Sequence, residues 1–320
     1  MKLKVAIAAA CFLAVCSSGC TGRSVFTVEV YQTPTSLSAA IEPSATPVQG
    51  PVAPSVPTST PILEPFSALP TSVGEPVMPA GFSPILYGRK YDANTFFTLL
   101  GAVQGTTWLT AEQAAAQFSG EWEYDVHTLA GGSFQLRGHA PEFSPQSNLY
   151  FVRTDANLDE PGMVAVVHGW AVQQGTVDEL SPAIDIYQDV VMDWLTSQGV
   201  QSPVLGDMRV LRVDLEADGV DEIFISVTHL DGSQHTVWAG DYSVILMRKV
   251  VGNDVTTVPV VADIYYSSGT DNTFPSAYAP ANFIDLDQDG VLEVIVDVQR
   301  WEADAALLFK VDGQNVRQVP

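Results

Sequence analysis

Two apolar, strand-like segments enclose an acidic turn in the stretch Asn282-Phe-Ile-Asp285-Leu-Asp287-Gln-Asp289-Gly290-Val-Leu-Glu293-Val-Ile-Val-Asp297. The same pattern occurs earlier, in Val210-Leu-Arg-Val-Asp214-Leu-Glu216-Ala-Asp218-Gly219-Val-Asp-Glu222-Ile-Phe-Ile-Ser226. Runs of β-branched and aromatic residues favour strands, and an Asp-Gly pair between two such runs favours a turn. The sequence therefore predicts an internal repeat of two strand–turn–strand units.

Both turns carry acids at positions 1, 3, 5 and 9 and glycine at position 6. Carboxylates on alternate residues of a tight turn converge on one point, and glycine permits the positive φ that such a turn needs. Calcium takes about six to eight oxygen ligands, so we predict a calcium site in each turn, with the carbonyl at position 7 as a further ligand. The alternative is an Asp-Gly turn whose acids face solvent. The predicted ligands are Asp214, Glu216, Asp218, Val220 and Glu222 in the first loop, and Asp285, Asp287, Asp289, Val291 and Glu293 in the second.

An EF-hand begins with the same spacing but requires an acid at position 12, where this chain has Ile225 and Val296. The form Asp-x-Asp-x-Asp-Gly-x-x-Glu between strands instead resembles the calcium loops of FG-GAP/VCBS-type repeats, as found in integrin-like β-propellers. That resemblance covers residues 208–319 of a predicted β portion at 208–320, and it implies blade-like antiparallel sheets with calcium as the bound ion. Glu216 departs from the usual Asp or Asn at position 3.

The preceding part of the chain, residues 82–207, predicts a mixture of helices and strands. A capping-box spacing at Thr110-Ala-Glu-Gln113 opens one helix, and apolar residues at three- and four-residue steps from Ile184 to Leu195 indicate another, which Gly199 ends. Strands are predicted at 132–137, 149–153 and 163–170. The expected fold class is α+β, predominantly antiparallel β, with blade-like sheets packed on a mixed α/β portion. A closed propeller is not expected, because propeller blades lack helices.

The N-terminus indicates export. Lys2 and Lys4 precede the apolar run Val5–Val15, which fits a signal peptide and is too short to span a bilayer. The small residues Ser17-Ser-Gly19 lead into Cys20, which resembles a bacterial lipobox and implies lipidation of Cys20. Residues 1–20 would then be the signal peptide and lipidation site of a lipoprotein anchored to the cell envelope. Ordinary secretion or a retained anchor are the alternatives.

Residues 21–81 are rich in Pro, Thr and Ser and predict a disordered linker, because closely spaced prolines oppose both helix and sheet. The formal net charge of −23 disfavours nucleic acid as a partner. No cysteine follows Cys20, so neither a disulfide nor a thiol nucleophile is expected in the remainder. The loop Tyr265–Tyr278 mixes aromatic and small polar residues, which suits either a glycan or peptide surface or an ordered connection between strands.

No catalytic motif stands out, so the first functional hypothesis is a non-catalytic interaction module stabilised by calcium, with a protein or glycan ligand. The second is an envelope hydrolase acting on glycan or peptide through paired acids such as Glu179, Asp185 or Asp189. His168, in an apolar segment, is expected to be a hydrogen-bonded core histidine.

Overall fold

A computed structural model describes residues 78–91, 94–154, 156, 158, 160–231, 236–269, 275–300 and 305–319. The predicted signal peptide, Cys20 and all but the last few residues of the predicted linker lie outside the described residues. The described residues are mainly antiparallel strands, which confirms the predicted fold class. Over these ranges the strands form open sheets and no closed barrel or propeller. No helix in the described part of the chain is long and apolar enough to cross a membrane.

The first sheet has eight strands in the order β5-β4-β8-β1-β2-β7-β6, with β3 also paired to β2. Its bounds are β1 Phe82–Tyr91, β2 Asn94–Gln104, β3 Thr107–Thr110, β4 Trp122–His127, β5 Ser133–Gly138, β6 Glu142–Ser144, β7 Leu149–Arg153 and β8 Met163–Val167. Helix α1 (Ala111–Ala115) follows β3 and begins with the predicted capping box of Thr110 and Gln113. The predicted strand at 163–170 ends three residues early, at Val167.

The other two sheets share one plan, a four-stranded meander with a short strand added at the edge. The second sheet has the order β10-β11-β12-β13-β14, and the third has the order β18-β17-β16-β15-β9. The short strands β9 (Gln173–Gln174) and β10 (Asp178–Leu180) come from before residue 208. The meanders are β11 Asp207–Val213, β12 Glu222–His229, β13 Tyr242–Val251 and β14 Asp254–Ile264, then β15 Ala277–Asp285, β16 Glu293–Gln299, β17 Ala305–Asp312 and β18 Asn315–Gln318.

The two acidic loops occupy equivalent places in this plan. Each connects the first two strands of a meander: β11 to β12, and β15 to β16. The repeat seen in the sequence is therefore part of a larger repeat of four strands. In each copy the third strand, β13 or β17, pairs with the strand that follows the loop, β12 or β16. Helix α2 (Asp185–Ser197) lies between β10 and β11 in the chain, and Gly199, with φ +90°, follows its end as predicted.

The three sheets stack with the third sheet in the middle. Alternate residues of its strands enter two different cores: Phe283 packs against the second sheet, and Ile284 packs against the first. Phe224 of the second sheet meets Phe283 with ring centroids 4.8 Å apart. Helix α1 covers the outer face of the first sheet, and α2 covers the outer face of the second. The second acidic loop, which belongs to the middle sheet, is thus the one that lies between the other two.

Polar contacts also join the first and third sheets. Asn282 donates hydrogen bonds to the carbonyls of Gly162 (2.8 Å) and His127 (3.2 Å). Arg89 forms an ion pair with Asp297, whose carboxylate also accepts a 2.8 Å hydrogen bond from the Tyr87 hydroxyl. Because these groups are largely removed from solvent, the contacts fix how the two sheets meet.

Candidate metal centre

The second loop gathers its acids at one point. Oxygen atoms of Asp285, Asp287 and Asp289 all lie within 4.8 Å of one another. Among the residues that the structure describes, this is the one group of three or more acid, histidine or cysteine side chains with that geometry. Three converging carboxylates supply the hard oxygen donors that divalent cations prefer. These residues could therefore hold a metal ion, as their alternate spacing predicts.

The backbone of the loop explains the convergence. Gln288 and Gly290 have φ values of +62° and +87°, so the chain turns sharply around the Asp285 side chain. The Asp285 carboxylate accepts hydrogen bonds from the N–H groups of Asp289 (3.2 Å) and Gly290 (3.0 Å). Asp289 in turn accepts one from the Val291 N–H (3.0 Å). Loop shape and carboxylate position are therefore coupled.

Glu293, at position 9, is the fourth acid of the second loop and is fully buried. Its Oε2 accepts a 2.7 Å hydrogen bond from the Leu286 N–H, while its Oε1 has no hydrogen-bond partner. Asp287 Oδ1 is also buried without a partner. The side chains of Glu293 and Asp287 are 0% and 5% exposed. Buried oxygens without donors are unfavourable, so these two atoms point to a cation as the missing partner.

A lysine from a distant strand reaches into the same loop. Lys310, on β17, places its Nζ 2.5 Å from Asp287 Oδ2 and 2.6 Å from Asp289 Oδ2, and 3.8 Å from Glu293 Oε1. Its single positive charge faces three of the four acids of the loop, Asp287, Asp289 and Glu293. The sequence reasoning did not include this lysine, although a lone basic residue in an acidic, apolar segment is a signal that could have drawn attention to it.

The first loop has the same backbone pattern. Ala217 and Gly219 have φ values of +52° and +82°, and Asp214 accepts hydrogen bonds from the N–H groups of Asp218 (3.2 Å) and Gly219 (2.8 Å). Glu222 Oε2 accepts a 2.9 Å bond from the Leu215 N–H, as Glu293 does in the second loop. The repeat therefore extends from the sequence to individual hydrogen bonds.

The first loop differs in where its acids point. Glu216 reaches Lys249 on β13, with Oε1 2.5 Å from Nζ, and Glu222 Oε1 lies 3.5 Å from the same atom. Its acids do not form a convergent group like that of the second loop. Glu216 stands where the second loop has Asp287, and each of these two acids contacts the lysine of its own loop. Val220 and Val291 remain predicted carbonyl ligands.

The second loop also contacts the first sheet and the first loop. The indole Nε1 of Trp108 donates a 3.1 Å hydrogen bond to Asp287 Oδ2, and that of Trp170 donates a 2.9 Å bond to the Leu286 carbonyl. The Leu292 N–H donates to the Leu215 carbonyl at 2.9 Å, which joins the two loops. The site is therefore built from all three sheets.

Burial governs the titration of these acids. It raises the pKa of Glu293 to about 8, and it raises the pKa of Glu222 and Asp285 as well. Burial alone would also raise the pKa of Asp289, but hydrogen bonds from Lys310 and from the Val291 N–H bring it below its usual range. Glu293, which has one oxygen without a hydrogen-bond partner, is thus an acid whose negative charge is unstable without a cation.

The acids proposed for a hydrolase are not gathered in this way. Glu179, Asp185 and Asp189 are all exposed, and Glu179 is paired with Arg209 at 2.8 Å. His168 is exposed rather than in the core, because β8 ends one residue before it. Its Nδ1 lies 2.9 Å from Asp125, and none of its described hydrogen bonds reaches a hydroxyl group. The prediction of a core histidine was wrong.

Comparisons with protein-family models, with curated proteins and with solved structures find no match for this chain.

Proposed function

We propose that the protein is a non-catalytic interaction module of the bacterial cell envelope whose folded part is stabilised by calcium bound in the second loop. The observation that carries the calcium site is the pair of buried, unpartnered oxygens on Asp287 and Glu293 beside a convergent group of aspartates. Calcium fits better than magnesium, because it accepts many oxygen ligands in irregular geometry and loses its water more readily.

The position of the site supports a stabilising role. The loop lies between the first sheet and the first loop, with Trp108 bonded to one of its acids. A cation held there would tie together groups that come from all three sheets. Exported proteins without disulfides gain rigidity from such a site, and extracellular calcium is abundant enough to fill sites of modest affinity.

The likeness to FG-GAP/VCBS-type loops and the lipobox-like segment ending at Cys20 support an interaction role outside the cytoplasmic membrane. Two strongly exposed aromatic side chains offer a candidate interaction face: Tyr266 (64% exposed), whose hydroxyl donates to the Gln198 carbonyl at the C-terminal end of α2, and Trp238 (54% exposed). Exposed aromatic side chains suit the apolar faces of sugars or a peptide.

The test is a thermal melt of the full-length chain in EDTA, in calcium and in magnesium. A rise in melting temperature with calcium that magnesium does not reproduce supports the proposal. Identical melting in all three solutions contradicts it, and leaves the loops as acidic turns closed by lysine.

A further inference from the structure

A lysine from the third strand of its own meander enters each acidic loop. Lys249 lies on β13 and Lys310 on β17, and each belongs to the strand that pairs with the one following the loop. Each ammonium contacts the acid at position 3 and lies within 4.0 Å of the glutamate at position 9. The lysine is therefore a feature of the repeat.

We propose that Lys310 is a tethered competitor of the metal ion in the second loop, so that the cation enters the carboxylate group as the ammonium leaves it. The proposal rests on the proposed function and concerns how its site is regulated.

Geometry makes the two cations mutually exclusive. The Lys310 Nζ lies 2.5 Å from Asp287 Oδ2 and 2.6 Å from Asp289 Oδ2, two of the three convergent aspartates. A calcium ion would lie about 2.3–2.6 Å from its oxygen ligands, which is the space that the ammonium takes. Two positive charges held that close repel each other strongly when they are shielded from water.

Charge favours the exchange. Four acids line the site, and the single ammonium bonds only Asp287 Oδ2 and Asp289 Oδ2, which leaves Asp287 Oδ1 and Glu293 Oε1 without hydrogen-bond partners. A divalent ion brings twice the charge and can bond several oxygens at once. The ammonium, with three donors in a fixed tetrahedron, cannot reach Glu293 at 3.8 Å.

The Lys310 ammonium can leave the site toward solvent. The Asp289 side chain, its outermost partner, is 42% exposed, and the Lys310 side chain is 15% exposed. A lysine has a flexible stem, so the ammonium can turn toward solvent along Asp289 while its strand stays in place. Lys249 is more enclosed, at 7%, so the first loop should release its lysine less readily than the second.

The first experiment measures calcium affinity in the full-length Lys310→Met variant by the change in total tryptophan emission; one of the six tryptophans, Trp108, is hydrogen-bonded to Asp287. Methionine keeps an unbranched side chain but removes the charge. We expect calcium to bind about tenfold more tightly or better, because a positive charge leaves a partly buried site. The matched control is Arg137→Met, which removes one charge from an exposed arginine on the first sheet.

A second experiment uses the unmodified protein, in case Lys310→Met folds poorly. The chain has five lysines, so acetylation with a water-soluble reagent can be followed at each by mass spectrometry. Calcium should raise the acetylation rate of Lys310 severalfold and leave that of Lys249 nearly unchanged. A Lys310 that stays protected while calcium binds would overturn the proposal.

The outcomes separate the competitor role from the calcium site. If calcium binds the wild type, and Lys310→Met has the same affinity as Arg137→Met, the competitor role fails and the calcium site stands. If neither the wild type nor Lys310→Met responds to calcium, both ideas fail. A response in Lys310→Met alone supports the competitor role and contradicts calcium binding by the wild type.

Discussion

Asp289→Ala is the most direct test of the metal centre, because it removes one of three convergent carboxylates and leaves the core intact. Asp289 is 42% exposed at its side chain, forms an ion pair with Lys310 and accepts a hydrogen bond from the Val291 N–H. An ion pair of that exposure contributes under about 1 kcal/mol. We therefore expect the variant to melt close to the wild type in EDTA.

The expected effect in calcium is larger. Extracellular calcium modules bind with dissociation constants of roughly 10⁻⁴ to 10⁻³ M. At about 10 mM calcium such a site adds about 1.4–2.7 kcal/mol to the free energy of unfolding. For a folded part of this size, each kcal/mol raises the melting temperature by about 2–4 °C, so the wild type should gain about 3–11 °C. Asp289→Ala should lose most of that gain.

The assay is differential scanning calorimetry of the wild type and the variant, each in EDTA and in calcium. The matched control is Asp312→Ala, which removes another exposed acid that precedes a glycine of positive φ but is the last residue of β17, next to the turn that leads into β18. It should keep the whole calcium response. The reasoning is refuted if Asp289→Ala destabilises the protein equally with and without calcium.

Two further predictions concern pH and packing. Glu293 has an ordinary pKa of 4.5 that burial raises to about 8 in the folded state, so the metal-free protein should lose up to about 5 kcal/mol of stability as pH rises through that window. Glu293→Gln should remove this dependence of the free energy of unfolding on pH, as measured by denaturant titrations in EDTA at several pH values. An equal dependence on pH in the variant and the wild type would contradict the prediction. A Cβ on Gly162, where φ is +64°, would lie 1.9 Å from the Ala281 carbonyl oxygen, so Gly162→Ala should destabilise by about 3 kcal/mol or more. Gly313→Ala, with φ +58° and open space around it, should cost only about 1–2 kcal/mol in the same titration, and equal losses would show that the sheet contact is unimportant.

Local chemistry made much of the fold predictable. The capping box at Thr110 and Gln113 and the apolar steps of α2 depend on neighbours a few residues away, and both helices form as expected. The Asp-Gly turns are equally local, because glycine at position 6 and carboxylates at alternate positions determine the loop together. The prediction that His168 lies in the core was wrong because the end of β8 depends on the strands beside it.

The sequence by itself determined the repeat, the antiparallel β character and the acids at the second loop, since all of these follow from spacing within one short segment. Only the tertiary structure decided that the C-terminal sheet lies in the middle of the stack, and that Trp108 and Lys310 reach Asp287. Those contacts join residues far apart in the chain. They depend on which sheet faces bury each other, and the spacing of residues within one short segment does not specify that.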